Sequence, residues 1–242
     1  EPIKEGIMSE LATQHRLIPA ALEAISTGCA VARAVQANLE QLRQVTKDDR
    51  SPVTVADFAV QAIISLSLAD HLDAKDRLIV GEEDAALLRT VEETAIRKAV
   101  LEAVRSWRPQ VTESEMLDAI DACNHDGSSD GYWALDPIDG TKGFLRGQHY
   151  AIALGRIENG EVVAGIMGCP NLSIDQAYPL DQVDLHGVMY GASRGAGAWE
   201  FAQCNPTSPP MRILAQQFEK SRPLRFCESA EKGHSNRSKS GR

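Results

Sequence analysis

Residues 133–144, WALDPIDGTKGF, place two carboxylates, Asp136 and Asp139, around a proline and follow them with Gly-Thr-Lys-Gly. The apolar run Tyr132 to Leu135 reads as a short strand feeding directly into Asp136. Taken alone, Asp-x-x-Asp-Gly is a solvated turn. Other acids upstream have similar surroundings. The stretch RLIVGEED (77–84) reads as a β-branched strand whose end carries Glu82, Glu83 and Asp84. Asp57 stands near the N-terminal end of a helical pattern that runs to about Leu72. Carboxylates that converged at low dielectric would repel one another, each with its pKa raised, unless a cation neutralised them. Mg²⁺ suits such a site, because it prefers oxygen ligands and is held by a few carboxylates together with substrate phosphate oxygens. Gly140 permits close backbone approach, and Thr141 offers a hydroxyl at a helix start, where free N–H groups attract anions. Metal ions beside an anion cradle make an arrangement for phosphoryl transfer to water.

The bulk composition agrees with an ordinary globular chain. The 242 residues are 43% hydrophobic and 24% charged, which is enough for a sizeable core. A formal net charge of −9 argues against a protein that grips nucleic-acid backbone, so no nucleic-acid partner is expected. The five cysteines (29, 123, 169, 204 and 227) form no C-x-x-C pair, and the six histidines show no H-E-x-x-H spacing. No apolar run approaches the roughly 20 residues of a bilayer span, so no membrane association is expected. The chain begins at Glu1 and shows no signal peptide. A reducing, cytoplasmic location is the expectation, with organellar targeting left open because the first residue is not Met.

Along the chain, residues 7–45 show helical periodicity, with an interruption expected near Pro19. The charged segment through Val55 reads as turn or extended chain. Residues 85–122 read as helical with a break at Arg108-Pro109-Gln110, and residues 124–131 as a loop. The clearest hairpin is 150–170, two apolar runs around Asn159-Gly160. Residues 187–201 read as two further strands around a glycine-rich turn whose spacing is not that of a phosphate loop.

With these motifs assembled, WALDPIDGTKGFLRG, GEED and SPVTVAD (51–57) resemble the lithium-sensitive, magnesium-dependent phosphatases of the inositol monophosphatase type. Within them the chain looks closest to the 3′(2′),5′-bisphosphate nucleotidases. Lys142-Gly143-Phe144-Leu145-Arg146-Gly147 stands where inositol monophosphatases usually carry Thr-Asn, and GCPNL (168–172) and EKGHS (231–235) also match the nucleotidase group. The resemblance implies an α/β fold, a layered α-β-α-β-α sandwich of the inositol monophosphatase and fructose-1,6-bisphosphatase type. Residues 1–205 would form an α+β catalytic domain, helices against a mixed and mainly antiparallel sheet. Residues 206–242 would be a linker and the start of a second, substrate-binding domain. The implied ligands of two or three Mg²⁺ ions are Glu82, Asp136, Asp139 and the backbone carbonyl of Ile138. Asp57 and Thr141 would orient and deprotonate the attacking water. Gly140, Thr141 and His234 would touch the substrate, 3′-phosphoadenosine 5′-phosphate. A monomer is expected.

The family pattern continues beyond Arg242, with a further metal-binding aspartate in a Trp-Asp motif and residues for the nucleotide. The expectation is therefore a C-terminally truncated chain of low or no activity. The rivals are a phosphatase of the same fold acting on an inositol or other sugar phosphate, and an inactive metal-binding fragment.

Overall fold

The computed structural model describes residues 15–46, 51–215 and 217. Ile79–Val80 (β1) pairs in parallel with Gly131–Asp139 (β2). From β2 onward the chain meanders through antiparallel neighbours: Ala151–Glu158 (β3), Glu161–Cys169 (β4), Val188–Ser193 (β5), Gly197–Ala202 (β6) and Met211–Ile213 (β7). The result is one seven-stranded sheet in chain order. Among the described residues six α-helices accompany it: Ile18–Ala37 (α1), Leu39–Thr46 (α2), Ser51–His71 (α3), Thr94–Trp107 (α4), Glu113–Asp121 (α5) and Thr141–Leu145 (α6). The mixed α/β class agrees with the expectation, and the described residues supply a helical layer and one sheet. β7 extends that sheet past residue 205.

Strand parity decides which face meets the helices. Leu135, Ile152, Leu154, Ile166, Met189, Trp199 and Phe201 are all buried, and α1 packs on β3, β4 and β5 while α3 packs on β2. α1 is long and apolar enough to cross a membrane by composition, yet Leu22, Ile25, Cys29 and Ala32 on it are buried in the core. α1 also lies against α3, and α3 in turn against α4 and α5, so the two long helices are clamped on both sides.

The Asn159-Gly160 hairpin forms as expected, with φ of 51° and 78° at its two turn residues, the positive values that a right-twisted two-residue turn requires. Two boundaries differ from the sequence reading, and a proline stands at each. Residues 51–55 are helix, because α3 starts at Ser51 with Pro52 in its first turn, where no intrahelical N–H is lost. Asp57 therefore lies in the second turn. Pro19 likewise sits in the first turn of α1, so the helix of residues 18–37 opens where the sequence reading expects an interruption. Finally, β2 runs through Pro137 to Asp139 without ending in a turn at Asp136.

Two strand glycines separate the faces. A Cβ on Gly168 would lie 2.2 Å from Cys29 Sγ and 2.9 Å from Ile25, whereas one on Gly155 would meet nothing within 4 Å. Urea unfolding should show Gly168→Ala less stable by about 1–3 kcal/mol, the range for overpacking a filled core. Gly155→Ala, on the open face, should fall within about 0.5 kcal/mol of the parent.

Candidate active site

A register shift in β2 brings the two acids of the opening stretch together. Asp136 pairs with Ala153 and Asp139 with Ala151, and the register shifts between them. Ala151 and Ala153 are two residues apart on β3, so they share a face. Asp136 and Asp139 are three apart and would face opposite ways in a regular strand. They share a face because Pro137 and Ile138 together oppose the single residue Ile152, which is a β-bulge. Pro137 is tolerated there because a bulge leaves one residue unpaired and needs no N–H from it.

The same face receives Glu82. Val80 lies beside Ala134 in the parallel pair, so two residues further on Glu82 comes alongside Asp136. The turn that carries it is held tightly: the Gly81 N–H donates to the Cys123 carbonyl at 2.7 Å. A Cβ on Gly81 would lie 2.6 Å from Gln61 Oε1 and 2.8 Å from Cys123 Cβ, so only glycine fits. Asp57 approaches from α3. Burial first, then the charges of Glu83, Glu82 and Asp136, push its carboxyl up to about 8. Asp136 is raised by burial, Glu82 and Asp139, with the Ile138 N–H partly offsetting them. Glu83 is raised by burial and by Glu82. These shifts are the electrostatic signature of convergence that the sequence reading anticipated.

Gly140, at φ 93°, adopts a backbone that other residues rarely take, and it ends β2 so that α6 can start at Thr141. Thr141 is exposed, and α6 packs on α3, the helix of Asp57. Gly143 has a packing role. A Cβ there would lie 2.0 Å from the His149 carbonyl, and the Gln148 N–H donates to the Gly143 carbonyl at 2.8 Å. The glycine of the Lys142-Gly143 pair thus permits a close return of the chain.

The donor set fits a hard divalent cation in kind, since Glu82, Asp136, Asp139 and the Ile138 carbonyl offer only oxygen. Among the described residues no three His, Cys, Asp or Glu side chains are gathered tightly enough to enclose an ion, so the carboxylates stand around the position and are not closed on it. They lie at one end of a trough of about 650 Å³ that crosses the open face of the sheet from Glu82 and Asp136 to Tyr190 and Ala198. Small residues, Ala134, Ala153, Gly155, Gly165 and Ala192, floor it. His234, the expected nucleotide contact, lies outside the described residues. Sequence reasoning missed two participants. Glu83 acts on Asp57 more strongly than any other charge, and its only signal was its place beside Glu82. Gln61, fully buried, was legible only as the residue one helical turn after Asp57.

Two consequences are measurable. Without divalent cations, Asp57 keeps its proton to about pH 8 in the folded chain but only to about pH 4 when unfolded. Folding takes up a proton between those values, so stability should fall as pH rises from about 4 to about 8. Asp57→Asn keeps the neutral shape; in chelator it should match the parent near pH 4 and exceed it by at least about 1 kcal/mol at pH 8. Gly143→Ala should lower stability by about 2 kcal/mol or more in thermal unfolding, because the atom it meets is backbone.

The chain matches the inositol monophosphatase family over residues 13–240. It is 40% identical over 202 residues to the 3′(2′),5′-bisphosphate nucleotidase of Schizosaccharomyces pombe, covering 79% of this chain and 56% of that one. It is 36% identical over 231 residues to 3′(2′),5′-bisphosphate nucleotidase 1 of Arabidopsis thaliana, covering 90% of this chain and 65% of that one. A third relative, 3′(2′),5′-bisphosphate nucleotidase 2 of Candida albicans, is 39% identical over 210 residues, 80% of this chain and 58% of its own. The chain thus spans less than two thirds of the length of each of these relatives. With acids from α3, β1 and β2 converging on one face, and a family match over nearly all of its residues, this chain belongs to the inositol monophosphatase family.

Proposed function

We propose that the protein is a Mg²⁺-dependent phosphatase that removes the 3′-phosphate of 3′-phosphoadenosine 5′-phosphate, giving AMP and phosphate, and so clears a by-product of sulfate assimilation and sulfation. The observation that carries the reading is the convergence of acids at the head of the open trough, where Glu82 and Asp136 line it and their charges, with burial and Glu83, raise the pKa of Asp57. Relatives 36–40% identical that are named bisphosphate nucleotidases support the substrate class. Glu82, Asp136, Asp139 and the Ile138 carbonyl would hold the cations. When bound, these supply positive charge that polarises the phosphate and lowers the pKa of the attacking water. Asp57, half-buried on α3, would take that water's proton. Thr141, exposed at the start of α6, would orient the water with its hydroxyl and touch the scissile phosphate, while Gly140 leaves room for it. Water attacks phosphorus opposite the ribose 3′ oxygen, the P–O bond to that oxygen breaks, and the oxygen leaves with a proton. His234 would contact the adenosine end of the substrate.

A second reading keeps the acids as a binding site alone. On that reading the acids bind metal without turnover. Phosphate release from 3′-phosphoadenosine 5′-phosphate, inositol 1-phosphate and a sugar bisphosphate, each with Mg²⁺, separates the possibilities. The nucleotide should be preferred, and Asp139→Ala should lower the rate by about 10²-fold or more. Preference for the inositol phosphate would overturn the substrate, and metal binding without release from any of the three would favour the non-catalytic reading.

A further inference from the structure

Gln61 is a polar side chain with no exposed surface, on α3 one turn after Asp57, and every hydrogen-bonding position of its amide is used. Its Oε1 accepts from the Glu82 N–H at 3.1 Å and from the Glu83 N–H at 3.0 Å. Its Nε2 donates to the Glu83 carbonyl at 2.7 Å and to the Ile120 carbonyl, at the end of α5, at 3.3 Å. The amide orientation follows from its partners, because two N–H groups can meet only an oxygen and two carbonyls only an NH₂. Gly81 belongs to the same device, since any side chain there would strike Gln61 Oε1 and push the turn away. The amide therefore fastens the backbone of Glu82 and Glu83 directly to the helix that carries Asp57, at the same helical face.

We propose that Gln61 is the positioning residue of the acidic site, setting where the Glu82 carboxylate stands relative to Asp57 and Asp136. The role rests on Glu82 being a metal ligand, as read above. Groups that orient metal ligands from behind typically change metal affinity by about 10–100-fold when removed. A purely structural amide would instead lower stability and leave the affinity of the folded molecules unchanged.

Mn²⁺ binding followed by electron paramagnetic resonance separates these cases, with the folded fraction of each sample checked by circular dichroism. Gln61→Met keeps the length and removes all four hydrogen bonds, and it should weaken Mn²⁺ binding about tenfold or more. Gln61→Glu keeps an acceptor for both N–H groups and should lose less; if the methionine variant does not fold, the glutamate variant decides. Because Gln61 acts through Glu82, the pair Gln61→Met with Glu82→Gln should bind no more weakly than Glu82→Gln alone. Parent-like affinity in the folded Gln61 variants, or an equal further loss on the Glu82→Gln background, would overturn the proposal. If the parent binds no Mn²⁺, or if Glu82→Gln and Asp136→Asn bind as tightly as the parent, the metal reading itself is overturned and this role falls with it.

Discussion

The bulge at Pro137-Ile138 is the constraint on which the site depends. Strands alternate their side chains, so two acids three residues apart belong to opposite faces unless the pairing slips by one. The slip between Asp136 and Asp139 puts both on the open side, with the buried side left to Leu135 and Ile138. Without it, one carboxylate would point toward α1 and α3, where Phe58, Ile63 and Trp133 leave no polar environment for it. A regular strand would therefore have to give up either the site or the core.

α3 is the second organising element. One face of it fills the core with Phe58, Val60, Ile63 and Ile64, and another carries Asp57 and Gln61. Packing rigidity is thereby passed to the chemistry: α3 touches β2, α4, α5 and α6, so the helix bearing Asp57 is located by the elements around it. The carboxylates repel one another, and burial deepens that repulsion instead of relieving it. Such clustering is destabilising for the empty chain, and a site for cations gives it a physical purpose.

Much of this was legible in the linear order of residues. Two apolar runs identified β3 and β4, and Asn159-Gly160 identified the turn between them, because few other dipeptides accept two positive φ values. The acids at strand ends singled out Glu82, Asp136 and Asp139, and the motif that follows them pointed to the family. The start of α3 was misplaced because Pro52 reads as a breaker from composition alone, while in a first turn it is neutral. Gly143 belongs to the stretch that resembles the nucleotidase group, and the tertiary structure adds a packing reason for it in the nearby His149 carbonyl. Gln61 and Glu83 carried almost no signal, since a buried glutamine and a second glutamate look like any others until their partners are known.

By itself the sequence determined the chemistry available and the local turns: which residues bear oxygen ligands, where strands and hairpins form, and where the chain must reverse. Those depend on neighbours within a few positions. The tertiary structure alone decided that Asp136 and Asp139 share one face of the sheet and that Asp57, on α3, feels the charges of Glu82, Glu83 and Asp136. That outcome depends on the register of β1 and β3 against β2 and on the seating of α3. Register and seating arise from burying apolar surface between segments far apart in the chain, so no short stretch contains them.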